Sequence, residues 1–159
     1  MTELKPTELE FWRDYRSAKP RDEVSIDAAI SASIAGDDRN ADELLQLYLD
    51  GKKTAASSLV IDYESAGEPL PKVGNFWIIL DSGGVPKCIV KSIRVEIHRF
   101  DRVPESVAAA EGEGDLSLAY WTKAHREFFE PYLQRWNVED LSQQRVITEF
   151  YDVVWRPKP

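Results

Sequence analysis

Between Asn75 and Phe100 the chain reads NFWIILDSGGVPKCIVKSIRVEIHRF, and this stretch limits the fold more than any other. Phe76–Leu80 is a short continuous apolar run bounded by turn formers, the pattern of a buried strand. DSGGVP is a turn, and the residues after it return as a long strand. In the second half of that strand Ile93, Val95 and Ile97 alternate with Arg94, Glu96 and His98. A period of two sends the two sets to opposite sides of a sheet. Phe76, Ile78, Ile93 and Val95 are therefore the expected core. A two-stranded ribbon is not stable alone and needs further elements packed on it.

Those elements are legible on either side. PTELEFWRDYRSA (6–18) reads as a helix with Thr7 as its N-cap and Leu9, Trp12 and Tyr15 or Arg16 on one side. The residues up to Asn40 show no clear period and end in a polar, turn-prone cluster. A second helix starts at Asn40 or Asp42, carries Leu44, Leu45, Leu47, Tyr48 and Leu49, and stops at Gly51. SSLVIDYESAGEPLPKVGN passes from a short apolar piece into a loop. A further helix runs through LSLAYWTKAHREFFEPYLQRW, where Leu118, Trp121, His125, Phe128 and Tyr132 share one face and Pro131 interrupts it. RVITEFYDVVW closes the chain as a last strand. Helices first, then strands interrupted by helices, predict an α+β fold with a curved or barrel-like, mostly antiparallel sheet.

The chain has 159 residues, which suits one hydrophobic core. Its net charge of −8 restricts nucleic-acid binding to a local basic patch. Cys88 is the single cysteine, so no internal disulfide forms, and its apolar neighbours predict a small buried residue. No apolar run approaches the length of a membrane span and the N-terminus has no signal-peptide core, so a cytoplasmic protein without a membrane partner is expected. Phosphate-binding loops, dinucleotide fingerprints and serine-elbow motifs are absent. Two histidines and one cysteine leave no zinc spacing, and neither a metal nor a cofactor is expected. Nothing in the sequence fixes an oligomeric state.

Two clusters can carry chemistry. Lys52-Lys53-Thr54, followed by Ser57 and Ser58, sits directly after a helix stop. Either the lysines complement the helix dipole, or one turns inward as a base or fixed cation for an oxyanion or phosphate. AEGEGD places Glu111, Glu113 and Asp115 ahead of a helix. Asp115 or Ser117 serves as a cap there, with the glutamates solvated, or the glycine-spaced loop presents a carboxylate as acid or base. His125, between Trp121 and Phe128, reads as a hydrogen-bonded core histidine, and Trp77, Trp121 and Tyr120 read as core by default, although an aromatic at a cleft mouth would stack a base well.

Taken in order, LYLDGKKTAASSL, GEPLPKVGNFWIILDSGGVPKCIVKSIRVEIHRFDRV and AEGEGDLSLAYWTKAHREFF resemble an ASCH domain of the PUA-like superfamily. The resemblance covers roughly residues 41–129 and divides the chain into an N-terminal helical extension, 1–38, packed on an ASCH domain, 39–159. It implies a PUA-like β-barrel with flanking helices and a cleft into which Lys53 points, with Thr54 beside it. It further implies RNA or nucleotide binding, with ribonuclease action on single-stranded RNA in some members. A smaller branch hydrolyses the amide of N4-acylated cytidine-type nucleosides with a lysine, a threonine and a glutamate. Lys53 and Glu113 match two of these, and the threonine position holds Ala56, so Thr54, Ser57 or Ser58 would have to substitute. The resemblance points to Lys53 and Glu113, with Thr54 beside the lysine, as the catalytic residues, and on the chemistry of the side chains themselves Lys52, Ser57, Ser58, Arg94 and Trp121 are the expected substrate-binding residues. A non-enzymatic ligand- or partner-binding module is the third reading.

Overall fold

A computed structural model describes residues 3–158. Five strands hydrogen-bond in the order β1-β3-β4-β5-β2. They are β1 (Ile30–Ile34), β2 (Ala55–Leu59), β3 (Phe76–Leu80), β4 (Pro86–Arg99) and β5 (Arg145–Trp155). β1 pairs with β3 in parallel, while β3–β4 and β2–β5 are antiparallel. Among the described residues the helices are α1 (Pro6–Ala18), α2 (Ala41–Leu49), α3 (Val60–Ala66), α4 (Glu105–Glu111) and α5 (Leu118–Phe129), with three short 3-10 segments. This is the expected α+β architecture, with strands of mixed direction in one hydrogen-bonded order and helices between them. Among the described residues no helix is long and apolar enough to cross a membrane.

The chain divides into two compact units. The first takes the described residues up to Gly51, then Val73–Ile93 and the residues from Tyr151 onward. Its core is built on Tyr15 from α1, Phe76, Ile78 and Leu80 from β3, and Ile89 from β4, with Trp12 and Trp155 packed against it. Full burial of side chains of this size contributes about 1.5–3 kcal/mol each. α1 starts differently from the expectation. Lys5 is the N-cap and Pro6 the first helical residue, so Thr7 lies inside the first turn, and Glu8 accepts the Lys5 N–H. Proline suits that first position, where no N–H is required. β1 was not legible in the sequence between Lys19 and Asn40. Cys88 is fully buried, and burial pushes its thiol up to about 12, which removes it as a nucleophile.

The second unit comprises Lys52–Lys72 and Arg94–Phe150. Its core joins Leu59, Phe100, Val107, Trp121, Phe129, Val146 and Phe150. The chain turns straight from β2 into α3 and ends that helix at Gly67, which has φ +67°. α5 stops at Phe129, and the chain passes Pro131 as a 3-10 segment, Glu130–Trp136, in keeping with the interruption expected there. Along the second half of β4 burial does not alternate as expected: Ile93 is 47% and Ile97 45% exposed, Arg94 is exposed as well, and Val95 is only half-buried. Ile93 therefore leaves the predicted core. A period of two identifies two faces without saying which of them is covered.

Candidate functional site

Lys53 lies in the short segment between Gly51 and β2, and two interactions tie that segment to the end of α4. The Thr54 N–H donates to the Ala110 carbonyl at 2.7 Å, and the Thr54 hydroxyl donates to the same oxygen at 3.2 Å. Gly112 then reverses the chain with φ +68°. A Cβ at this position would stand 2.0 Å from the Lys52 carbonyl oxygen, so only glycine permits so close an approach. The turn places Glu111 and Glu113 around one ammonium group. Lys53 Nζ is 2.8 Å from Glu113 Oε2, 3.1 Å from Glu111 Oε1 and 3.3 Å from the Glu111 carbonyl oxygen. Lys53 is 4% exposed, whereas the Glu113 side chain is 21% exposed and forms the accessible side of the pair.

Glu111 is the buried centre, 2% exposed. The β2–β5 register sets Ser57 opposite Thr148. Their hydroxyls are 2.7 Å apart, and Ser57 Oγ donates to Glu111 Oε2 at 2.7 Å. Because Glu111 is ionised and only accepts, Ser57 spends its proton there, and Thr148 is left to donate to Ser57. The Trp121 indole N–H also donates to Glu111 Oε2, at 2.5 Å. One turn along α5, His125 stacks on Trp121 and brings Nε2 to 3.3 Å from Glu111 Oε1. Burial pushes the Glu111 carboxyl up. The Lys53 charge, followed by His125 and the Trp121 bond, outweighs this and holds it well below the usual carboxylate range.

Lys53 and Glu113 thus meet, and Ser57 joins their network through Glu111. The other candidates lie elsewhere or are committed to other partners. Thr54 is exposed with its hydroxyl on Ala110, and Lys52 is exposed. Ser58 faces away from Ser57, as alternation demands, and bonds the Tyr63 hydroxyl at 2.9 Å. Arg94 lies 3.9 Å over the Phe150 ring and pairs with Glu96. Trp121 is buried, 3% exposed, and serves Glu111 rather than an open surface. Thr148 went unread because only strand register brings it within reach of Ser57, 91 positions away. Glu111 was visible in AEGEGD, but its burial follows from α4, which the sequence did not announce. Among the described residues no group of three or more His, Cys, Asp or Glu is arranged to hold a metal ion.

Three comparisons bear on this geometry. The family model for the ASCH domain matches residues 31–155. The crystal structure of an ASCH domain from Lactobacillus crispatus is 31% identical over 98% of this chain and 99% of its own, with a TM-score of 0.86. Protein EF3133 from Enterococcus faecalis is 29% identical over 91% of this chain and 86% of its own, with a TM-score of 0.78. No curated protein sequence matches the chain significantly.

Proposed function

The chain belongs to the ASCH domain family, and from that premise we propose that the Lys53 cluster binds an N4-acylated cytidine-type nucleoside and hydrolyses its amide. One observation carries the reading: a partly exposed carboxylate, Glu113, is held at 2.8 Å by a lysine that is itself buried. Such a carboxylate is fixed in place yet open to a water and a ligand on one side. Glu113 takes a proton from water, and the resulting hydroxide bonds to the acyl carbon. The carbon–nitrogen bond then breaks, and Glu113 returns the proton to the departing exocyclic nitrogen. The products are a carboxylic acid and the free amino nucleoside. Lys53 is the positioning cation for Glu113. Ser57 is not the attacking group, because its proton is committed to Glu111, whose oxygens are already held by Lys53 and the Trp121 indole. Its remaining lone pair can accept an N–H from the ligand.

The RNA-binding and ribonuclease readings draw less support from this arrangement. A phosphate would need the Lys53 charge, which two carboxylates already surround. Arg94 is likewise engaged with Glu96. The test is incubation with N4-acetylcytidine followed by chromatography for cytidine. Release by the wild type and a loss of about 100-fold or more in Glu113→Gln is expected. No release by the wild type, or equal rates in the variant, overturns the proposal. Salt-dependent binding of single-stranded RNA that disappears in Lys52→Ala would favour the nucleic-acid reading instead.

A further inference from the structure

The imidazole of His125 sits between two acceptors. Nδ1 is 2.9 Å from the Trp121 carbonyl oxygen, and Nε2 is 3.3 Å from Glu111 Oε1. A carbonyl oxygen and an ionised carboxylate only accept, while a neutral imidazole carries a single N–H. A ring with one proton would therefore turn a bare nitrogen lone pair toward an oxygen. At the Glu111 side, where the carboxylate is 2% exposed, little water is available to relieve that contact.

The missing proton cannot be assigned to Glu111. Its Oε1 receives Lys53, and its Oε2 receives Ser57 and the Trp121 indole, a group that only donates. A carboxylate offers about four lone-pair sites. Lys53, Ser57 and Trp121 fill three, and a protonated His125 Nε2 fills the fourth. The stacking of His125 on the Trp121 indole, centroids 4.1 Å apart and planes at 17°, also suits a cation on an aromatic face.

We infer that His125 is an imidazolium that positions Glu111 and supplies the second positive charge of the cluster, so that Lys53 and His125 together balance Glu111 and Glu113. The charged groups facing it are Glu111 at the end of α4 and, beyond that carboxylate, Lys53 and Glu113. From its own helix it meets the Trp121 and Phe129 rings. A balanced cluster receives an uncharged nucleoside without recruiting a counter-ion. That consequence rests on the hydrolase reading, whereas the proton on His125 does not.

The experiment is a nitrogen NMR spectrum of the histidine rings in the ligand-free, isotope-labelled protein at neutral pH. His98 is the other histidine, and His98→Gln assigns the signals by elimination. Both His125 nitrogens are expected in the protonated, pyrrole-type range, with one moving to the bare, pyridine-type range in Glu111→Gln. A wild-type spectrum with one bare nitrogen on His125 overturns the inference, whatever the turnover assay gives. So does a folded Glu111→Gln protein whose His125 keeps both protons. Where that variant does not fold, the wild-type spectrum decides alone.

Discussion

Replacing Glu111 by Gln keeps the side-chain shape and removes one charge from a site that is 2% exposed. Lys53, Ser57, Trp121 and His125 all present donors to this carboxylate. A glutamine amide has one oxygen and one NH2, so the donors at one of the two positions would face other N–H groups. Removing one partner of a buried ion pair costs about 3–5 kcal/mol. The unsatisfied donors are part of that figure and are not added to it. In a protein of this size each kcal/mol moves the melting midpoint by about 2–4 °C, so a fall of roughly 6–20 °C is expected at neutral pH. The acid dependence supplies a second check. The Glu111 carboxyl is held below its ordinary value, so its contribution is complete above the unfolded carboxylate value of about 4.3. It is lost as pH falls below that value toward the folded one. The gap between wild type and variant should therefore narrow in acid. Thermal and urea melts followed by circular dichroism measure both. A midpoint change under about 2 °C at neutral pH, or a gap that widens toward acid, would refute the reasoning.

Three further substitutions separate the parts of the site. Ser57→Ala leaves the buried Thr148 hydroxyl without its acceptor and should cost about 1–3 kcal/mol by urea denaturation, with turnover reduced but not abolished. Gly112→Ala forces a Cβ toward the Lys52 carbonyl oxygen at positive φ and should cost more than about 2 kcal/mol in the same melts. Lys52→Ala changes an exposed side chain and should leave stability within about 0.5 kcal/mol and the rate of cytidine release unaltered.

What the sequence made legible follows how local each feature is. The α1, α2 and α5 patterns and the β3–β4 hairpin are written in contiguous residues and emerge with nearly the expected bounds. β1 pairs in parallel with β3, so its partner lies more than forty residues away, and Ile30-Ser31-Ala32-Ser33-Ile34 is too short and too mild an alternation to stand out. α3 begins directly after Leu59 with no turn former between strand and helix, and only Gly67 marks its end. In the site, the meeting of Lys53 with Glu113 was expected from the order of the two motifs in the resemblance. Glu111 could not be ranked above Glu113 from AEGEGD, because both are glutamates beside glycine. Their difference is burial, which the end of α4 and the Gly112 turn create. The alternation that turns Ser58 away is the same one that turns Ser57 toward Thr148, but it has no direction until the β2–β5 register is known.

The most direct test of the Glu113 assignment is a crystal structure of the Glu113→Gln protein with uncleaved N4-acetylcytidine. The acyl carbon is expected within reach of a water held by residue 113, about 3–3.5 Å from attack, with the exocyclic N–H directed at Ser57. A ligand bound away from Lys53, or one whose phosphate-bearing side rather than its base faces residue 113 when the nucleotide is used, would contradict it.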